Sequence, residues 1–102
     1  MISDDLDQDP RRYCVYILSC ADGSFYTGMT CDLARRLAEH RAGRGAGWTK
    51  RRLPVELVFS LDGLSYRSAI EVERYVKSLR RARKEALVAR EPGILALVEK
   101  RK

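Results

Sequence analysis

The pattern of hydrophobic and polar residues along the chain predicts strands in some segments and helices in others. The first segments predict a β-hairpin. Residues 13–19 (YCVYILS) are mostly β-branched, aromatic or otherwise apolar, which is typical of a buried strand. Residues 21–24 (ADGS) contain the turn dipeptide Asp-Gly, and residues 25–29 (FYTGM) return to strand-forming side chains. The pattern therefore predicts two antiparallel strands joined by a tight turn.

The next segments favour a helix, a loop and a third strand. Asp32 can cap a helix that runs to about residue 41, with leucines and alanines on its apolar side. Residues 42–52 contain three glycines and predict a loop. Residues 55–61 alternate between apolar and polar side chains. This alternation predicts a strand whose apolar face consists of Val55, Leu57, Phe59 and Leu61.

Helical spacing dominates the rest of the chain. Asp62-Gly63 predicts a turn, and residues 68–79 and 81–90 predict two helices. Pro92 can open a last short helix, because its missing N–H costs little in a first turn. The predicted order is β-β-α-β-α-α-α. It indicates a small α/β (α+β) domain with a three-stranded, mostly antiparallel sheet flanked by helices.

Length and composition limit the number of domains and the cellular compartment that we expect. The 102 residues fit one domain, expected over residues 13–102 behind a disordered acidic tail at residues 1–12. No apolar run long enough for a membrane span occurs, and the N-terminus lacks the apolar stretch of a secretory signal. Three cysteines without a CxxC pair favour free thiols, and a single histidine argues against a zinc finger. We therefore expect a cytoplasmic protein.

The charge is unevenly distributed. The net charge is +6, with −2 in residues 1–12 and +8 in residues 13–102. Residues 41–52 and 74–84 hold five and six cations respectively and no acid. Such an excess favours a polyanionic partner through counterion release. Both runs are equally compatible with ordinary solvated faces.

Arg36, His40 and Glu73 are candidates for chemistry, and each has a plainer interpretation. Arg36 and His40 lie four residues apart and share a helix face, as a solvated basic face would. Glu73 falls beside an apolar stripe on the long helix, where an unpaired carboxylate is costly. It should therefore pair with a cation, bind a metal or lie at the edge of the stripe.

The hairpin contributes two tyrosines and a glycine. Tyr16 and Tyr26 lie on its two strands, where aromatic residues usually pack, although their hydroxyls need polar partners. Gly28 inside a strand indicates a bulge or a close backbone approach.

The order of these residues resembles that of the GIY-YIG nuclease superfamily. Cys14-Val15-Tyr16 stands at the GIY element, and Tyr26-Thr27-Gly28 stands at YIG, about ten residues later. Gly28-Met29-Thr30, Asp32-Leu33, Arg35-Arg36 and His40 follow the GxTxDLxRRxxxH run, and Glu73 matches the glutamate of the later helix. The resemblance spans about residues 13–90. It is closest to small single-domain bacterial GIY-YIG proteins, which are related to the N-terminal domain of the UvrC repair nuclease.

Three residues depart from that pattern. Cys14 replaces the glycine of GIY, and Thr27 replaces the isoleucine of YIG. Met29 stands where some members carry a lysine that helps to activate the nucleophile. A strand tolerates the first two changes if the backbone shape is kept.

The resemblance implies a metal-dependent endonuclease that hydrolyses phosphodiester bonds in DNA, with repair or recombination as its setting. Glu73 would hold one Mg²⁺ or Mn²⁺, and Arg36 would clamp the scissile phosphate. Tyr16 would activate the attacking water if a nearby cation lowers its pKa. Tyr26 would support the phosphate or relay a proton, and His40 could take either role. Gly28 would let the substrate approach the backbone.

The same resemblance makes the cations a DNA-binding surface. Trp48 could stack on a base or anchor its loop on the sheet. A protein partner that supplies specificity would suit so short a chain. The rival interpretation is a nucleic-acid-binding module that has lost catalysis. The residues expected to bind nucleic acid are Arg35, Arg41, Arg44, Trp48, Lys50, Arg51, Arg52, Lys77 and Arg80.

Overall fold

Three strands and five helices make up the fold of the described residues. The structure, a computed structural model, describes residues 9–102. In chain order the elements are β1 (Tyr13–Cys20), β2 (Phe25–Thr30), α1 (Leu33–Arg41), α2 (Gly47–Lys50), β3 (Val55–Leu64), α3 (Tyr66–Ser78), α4 (Arg81–Val88) and α5 (Pro92–Glu99). The strands form one antiparallel sheet in the order β2-β1-β3. The predicted fold class and hairpin are confirmed, and the predicted elements occur in the predicted order with one additional short helix, α2.

Local sequence explains most helix boundaries. The Asp32 carboxylate accepts a hydrogen bond from the Arg35 N–H at 3.1 Å, so α1 begins at the predicted cap. The Ser65 hydroxyl accepts one from the Ser68 N–H at 3.1 Å, so α3 begins at Tyr66, two residues before the predicted start. The short helix α2 lies inside the segment predicted to be a loop.

The central strand β1 separates two cores. Its odd-numbered residues Val15 and Ile17 face α3, α4 and α5, with Val72, Val76, Leu87 and Val98 fully buried there. Its even-numbered residues face α1 in a second cluster of Cys14, Tyr16, Leu18, Cys20 and Val55. Because β1 is covered on both faces, it reads as a continuous apolar run rather than an alternating one.

The apolar face predicted for β3 is wrong. Val55 and Leu57 pack in the cluster on the α1 side of the sheet, whereas Phe59 and Leu61 pack in the other core. The register explains the change: Ile17 pairs with Phe59 and Leu18 pairs with Leu57, so Val58 is an extra residue on β3. A β-bulge of this kind turns every following side chain to the opposite face.

The turn predicted at Asp62-Gly63 is also wrong, because β3 continues to Leu64. Tyr13 pairs with Leu64 and Val15 with Leu61, so β3 carries a second extra residue here. Gly63 has a φ of 74°, a conformation that glycine adopts without a steric penalty. The dipeptide therefore forms a bulge within the strand.

The N-terminal segment is described from Asp9 onward, so residues 1–8 of the expected acidic tail lie outside the described residues. The Asp9 carboxylate accepts hydrogen bonds from the Arg11 guanidinium at 2.9 and 3.0 Å and from the Tyr13 hydroxyl at 2.9 Å. These contacts tie residues 9–11 to the start of β1. Within residues 9–102, no helix is both long and apolar enough to cross a membrane.

Candidate active site

A buried tyrosine–histidine pair lies between the sheet and α1. Tyr16 projects from the middle of β1, and His40 lies in the last turn of α1. The Tyr16 hydroxyl oxygen and His40 Nε2 are 2.9 Å apart, and the two residues are 1% and 0% exposed. The helix spacing predicted only that Arg36 and His40 share a face. The structure shows that this face is turned toward Tyr16 rather than toward solvent.

The other ring nitrogen of His40 also has a partner. Its Nδ1 lies 2.8 Å from the hydroxyl oxygen of Thr49, which is 0% exposed and belongs to α2. The Thr49 hydroxyl donates in turn to the Ala46 carbonyl at 3.0 Å. Sequence reasoning missed Thr49, because a threonine in a glycine-rich segment gives no periodic signal.

Two glycines give these rings their space. Gly28 pairs with Tyr16 across the hairpin, and a Cβ atom built on it would lie 2.5 Å from the Tyr16 hydroxyl oxygen. Gly45 lies against the imidazole of His40, where a Cβ atom would overlap the ring. The predicted close approach at Gly28 is therefore to Tyr16, within the protein itself.

Tyr26 and Arg36 border the pair. The Tyr26 ring centroid lies 6.5 Å from that of Tyr16 and 5.3 Å from that of His40. The Arg36 side chain is 32% exposed and pairs with Glu39 at 3.0 Å. Four of the predicted site residues, Tyr16, Tyr26, Arg36 and His40, thus lie together.

Burial controls the protonation of the pair. It raises the pKa of the Tyr16 hydroxyl to about 12, and the nearby Arg36 guanidinium offsets only part of that effect. The net shift is opposite to the lowering that the role implied by the resemblance would need. Burial also lowers the pKa of His40, and the charge of Arg36 acts in the same direction. Both residues are consequently neutral near pH 7.

Glu73 lies on α3, the helix that covers the other face of the sheet. Its neighbours Val72 and Val76 are fully buried, while its own side chain is 22% exposed and pairs with Lys77 at 3.4 Å. This position matches the predicted edge of the stripe with a cationic partner. Among residues 9–102, no group of three or more His, Cys, Asp or Glu side chains could hold a metal ion.

The residues expected to bind DNA fall into two groups. Arg52 is tied into the fold: it pairs with Asp22 at 2.9 Å and stacks 3.4 Å above the Trp48 ring. Trp48 is 46% exposed and donates from its indole N–H to the Ser24 hydroxyl at 3.2 Å, so it anchors α2 on the hairpin. Lys77 pairs with Glu73, and Arg35 pairs with Glu39 at 3.5 Å. The exposed cations Arg41, Arg44, Lys50, Arg51 and Arg80 have no ion pair among residues 9–102.

The three residues that depart from the family pattern are accommodated. Cys14 is buried in the cluster that holds Tyr16. Met29 packs against the opposite core, away from Tyr16. Thr27 is 5% exposed, and within the described part of the chain its hydroxyl has no hydrogen-bond partner.

This combination of a three-stranded antiparallel sheet with a tyrosine, a histidine and an arginine on one face is that of a GIY-YIG domain. The model of the GIY-YIG catalytic domain family matches residues 12–86, and the chain belongs to this family. The resemblance noted from the sequence is confirmed.

Its relatives are small proteins of similar length. The chain is 53% identical over 79 residues to a UPF0213 protein of Natronomonas pharaonis, covering 78% of this chain and 93% of that protein. It is 41% identical over 81 residues to a UPF0213 protein of Streptococcus pneumoniae, covering 79% and 81% of the two chains. The solution NMR structure of a UPF0213 protein from Bacillus halodurans matches with a TM-score of 0.53 at 44% identity. That match covers 80% of this chain and 87% of the other.

Proposed function

We propose that this protein is a metal-dependent endonuclease that hydrolyses phosphodiester bonds in DNA. The observation that carries the proposal is the buried bond between Tyr16 and His40, 2.9 Å long and bordered by Arg36. A buried tyrosine hydroxyl needs a polar partner in any case, but here the partner is a neutral histidine that is itself oriented by a third side chain. A proton acceptor oriented by another residue is the usual arrangement of an activated nucleophile or base.

The proposed proton path begins at the attacking water. Tyr16 accepts a proton from that water while its own hydroxyl proton passes to Nε2 of His40. Since the pKa values of the two groups hold both neutral at rest, the transfer is completed only as the water attacks. After the bond to the leaving oxygen has broken, that oxygen takes a proton from solvent, and His40 passes its own proton back through Tyr16 to water that refills the site, which restores the resting site.

Arg36 supplies the positive charge. Its guanidinium lies beside Tyr16 and is partly open to solvent, so it can contact two oxygens of a phosphate while remaining near the attacking atom. To do so it must leave Glu39, and an exposed ion pair of this kind is worth about 1 kcal/mol or less. Binding a phosphate dianion or diester can outweigh that loss.

A divalent ion held by Glu73 would supply charge neutralisation at a phosphate that also reaches α3, which covers the face of the sheet opposite to α1 and Arg36. The donor set fits Mg²⁺ or Mn²⁺ in one respect, because Mg²⁺ is commonly held by one or two carboxylates and keeps several waters. It does not fit a metal that requires a cage of protein ligands, since no such cluster exists within residues 9–102. Lys77, which pairs with Glu73, would have to move aside.

The exposed cations support DNA as the substrate. Arg41 ends α1, and Arg44, Lys50 and Arg51 follow it in the segment between α1 and β3, where their charge is not cancelled by neighbouring acids. A phosphate backbone laid along this segment would extend from the cations toward Arg36. Such contacts position a duplex without reading its sequence.

A catalytically inactive DNA-binding module is the second candidate. The pairing of Glu73 with Lys77 and the lack of a carboxylate cluster among the described residues favour it. It would retain the cations and have no use for proton transfer between Tyr16 and His40.

One cleavage experiment separates the two. Flapped, branched, single-stranded and double-stranded DNA would be incubated with the protein in Mg²⁺, Mn²⁺ or chelator, beside the Tyr16→Phe variant. We expect metal-dependent cleavage of at least one substrate by the parent and a large loss in Tyr16→Phe. Binding by both forms with cleavage by neither would establish the inactive module. Equal cleavage by both forms would refute the role proposed for the Tyr16 hydroxyl.

A further inference from the structure

We infer that Thr49 is a positioning residue: its hydroxyl determines which nitrogen of His40 carries the proton, and so makes Nε2 the atom that receives a proton from Tyr16. The inference about the imidazole stands on hydrogen bonds alone. Its consequence for catalysis rests on the proposed function.

The first step concerns the Ala46 carbonyl. Its oxygen lies 3.0 Å from the Thr49 hydroxyl oxygen and also accepts the Lys50 N–H at 3.0 Å. A carbonyl has no proton to give, so the Thr49 hydroxyl must be the donor. A threonine hydroxyl has a single proton. Thr49 therefore has only lone pairs left to offer His40.

The second step concerns the imidazole. His40 Nδ1 lies 2.8 Å from the Thr49 hydroxyl oxygen, and a bond at that distance requires a proton between them. Nδ1 must supply it. A neutral imidazole carries one N–H, so Nε2 is left with a lone pair. The 2.9 Å bond to Tyr16 then has the tyrosine hydroxyl as its donor.

The third step concerns what the other tautomer would do. With the proton on Nε2, His40 would donate to Tyr16 and could not take its proton, while Nδ1 and Thr49 would face each other with lone pairs. The backbone of Gly45 also restricts the position of the imidazole ring, since it leaves no room for a side chain against the ring. Thr49 thus selects the form of His40 that can act as a base.

The plainer role for Thr49 is structural. A threonine hydroxyl that bonds a carbonyl three residues earlier is common in short helices and stabilises them locally. A merely structural Thr49 would leave the protonation of His40 unchanged once the protein has folded. The tautomer is therefore the measurement that separates the two roles.

The chain contains one histidine, so ¹⁵N-labelled histidine gives the signals of His40 alone. Long-range ¹H–¹⁵N correlation spectra of the intact protein at pH 7.5 would distinguish the two tautomers. We would compare the parent with Thr49→Val, which keeps the shape but lacks the hydroxyl, and Thr49→Ser, which keeps the hydroxyl. The groups that face His40 and share its titration are Tyr16, Tyr26, Arg36 and Glu39.

We expect protonated Nδ1 in the parent and in Thr49→Ser, and a gain of protonated Nε2 in Thr49→Val. A parent spectrum with protonated Nε2, or a Thr49→Val spectrum that keeps Nδ1 fully protonated, would overturn the inference. If Thr49→Val does not fold, Thr49→Ala, which also lacks the hydroxyl, takes its place in the comparison.

Cleavage is measured separately. If the proposed function holds, Thr49→Val should lower the single-turnover rate by roughly ten- to a hundredfold, a part of what acid–base catalysis contributes, while Thr49→Ser stays near the parent. The expected spectra without cleavage by any form would support the role of Thr49 and count against the nuclease.

Discussion

Gly28 and Tyr16 face each other across the hairpin so closely that a single added methyl group would lie 2.5 Å from the tyrosine hydroxyl oxygen and 2.7 Å from Cζ. No side chain can occupy position 28 while Tyr16 keeps its bond to His40. The glycine of the YIG element is thus required by the position of the tyrosine in the GIY element.

Gly28→Ala should therefore weaken the fold and the site together. We expect a loss of about 1–3 kcal/mol in the free energy of unfolding from overpacking, and a large drop in cleavage as the Tyr16 ring is displaced. Gly93→Ala is the matched control, because a Cβ atom there would meet nothing within 4 Å. Chemical denaturation checks the first effect; equal stability of the two variants would show that Tyr16 can move without cost.

Arg36→Ala should reduce cleavage far more than DNA binding. A phosphate clamp beside the attacking group acts mainly where charge develops, so the loss belongs to the chemical step. Arg35→Ala is the control, because that side chain is 76% exposed and pairs with the same Glu39. Single-turnover rates and affinities of both variants would be compared. A parallel loss of rate and affinity in Arg36→Ala would make Arg36 an ordinary phosphate contact.

Glu73→Gln should lower metal-dependent cleavage while leaving the stability of the fold nearly unchanged. Its ion pair with Lys77 is partly exposed, so we expect stability without metal to change by less than about 1 kcal/mol or to rise. Binding to DNA in chelator should persist or tighten slightly, since one negative charge has left. Cleavage in Mg²⁺ should fall by orders of magnitude.

Glu71→Gln on the same helix is the control for Glu73, since Glu71 pairs with Arg74 at 3.6 Å on an exposed face. Thermal melts, binding titrations and cleavage rates would be measured on both variants. Full cleavage by Glu73→Gln would refute the metal assignment, and its unfolding would identify Glu73 as a structural ion-pair member.

Stability should decrease as the pH falls below neutrality. The pKa of His40 in the folded protein lies below its ordinary value of 6.5, so between these two values the unfolded chain binds the extra proton. The stabilisation is thus complete above pH 6.5 and is lost as the pH falls toward the lowered pKa. Chemical denaturation between pH 8 and pH 5 would measure the slope. His40→Gln, although less stable throughout, should show a shallower slope, and an unchanged slope would assign the effect to other groups.

DNA binding should weaken steeply with salt and depend little on sequence. Neutralising several phosphates releases counterions, so affinity should fall steadily between 50 and 200 mM salt. Lys50→Gln and Arg51→Gln should each make that dependence shallower. Arg90→Gln is a suitable control, because Arg90 already donates to the Ser60 carbonyl at 2.8 Å on another part of the fold. Affinity that does not change with salt would exclude a phosphate-binding surface.

The sequence was informative where one local rule decided the structure. The Asp-Gly turn between β1 and β2 and the Asp32 cap are each set by a few neighbouring residues, and both were predicted. The motif order placed Tyr16, Tyr26, Arg36 and His40 in one site before any distance was known. It also placed Glu73 there, whereas that residue lies on the helix that covers the other face of the sheet.

The sequence predictions were wrong or incomplete where contacts between residues distant in the chain determine the structure. The alternation over residues 55–61 is regular in sequence, and only pairing with β1 reveals Val58 as an extra residue. Thr49 was missed for a similar reason, since its partner His40 lies nine residues earlier on another helix. The role assigned to Tyr16 depended on a cation lowering its pKa, whereas burial, which the sequence does not show, raises that pKa.

The hydrogen bond of Trp48 completes a closed ring of contacts among the hairpin, α1 and α2. Tyr16 joins the hairpin to α1 through His40, Thr49 joins α1 to α2, and Trp48 joins α2 back to the hairpin at Ser24. If the three elements were joined in a row, movement of one element would directly shift the Tyr16 hydroxyl. Because the contacts close into a ring, each hydrogen bond limits the movement of all three elements. If a phosphate binds the exposed arginines of this segment, these three hydrogen bonds should therefore keep the distance between Tyr16 and His40 unchanged.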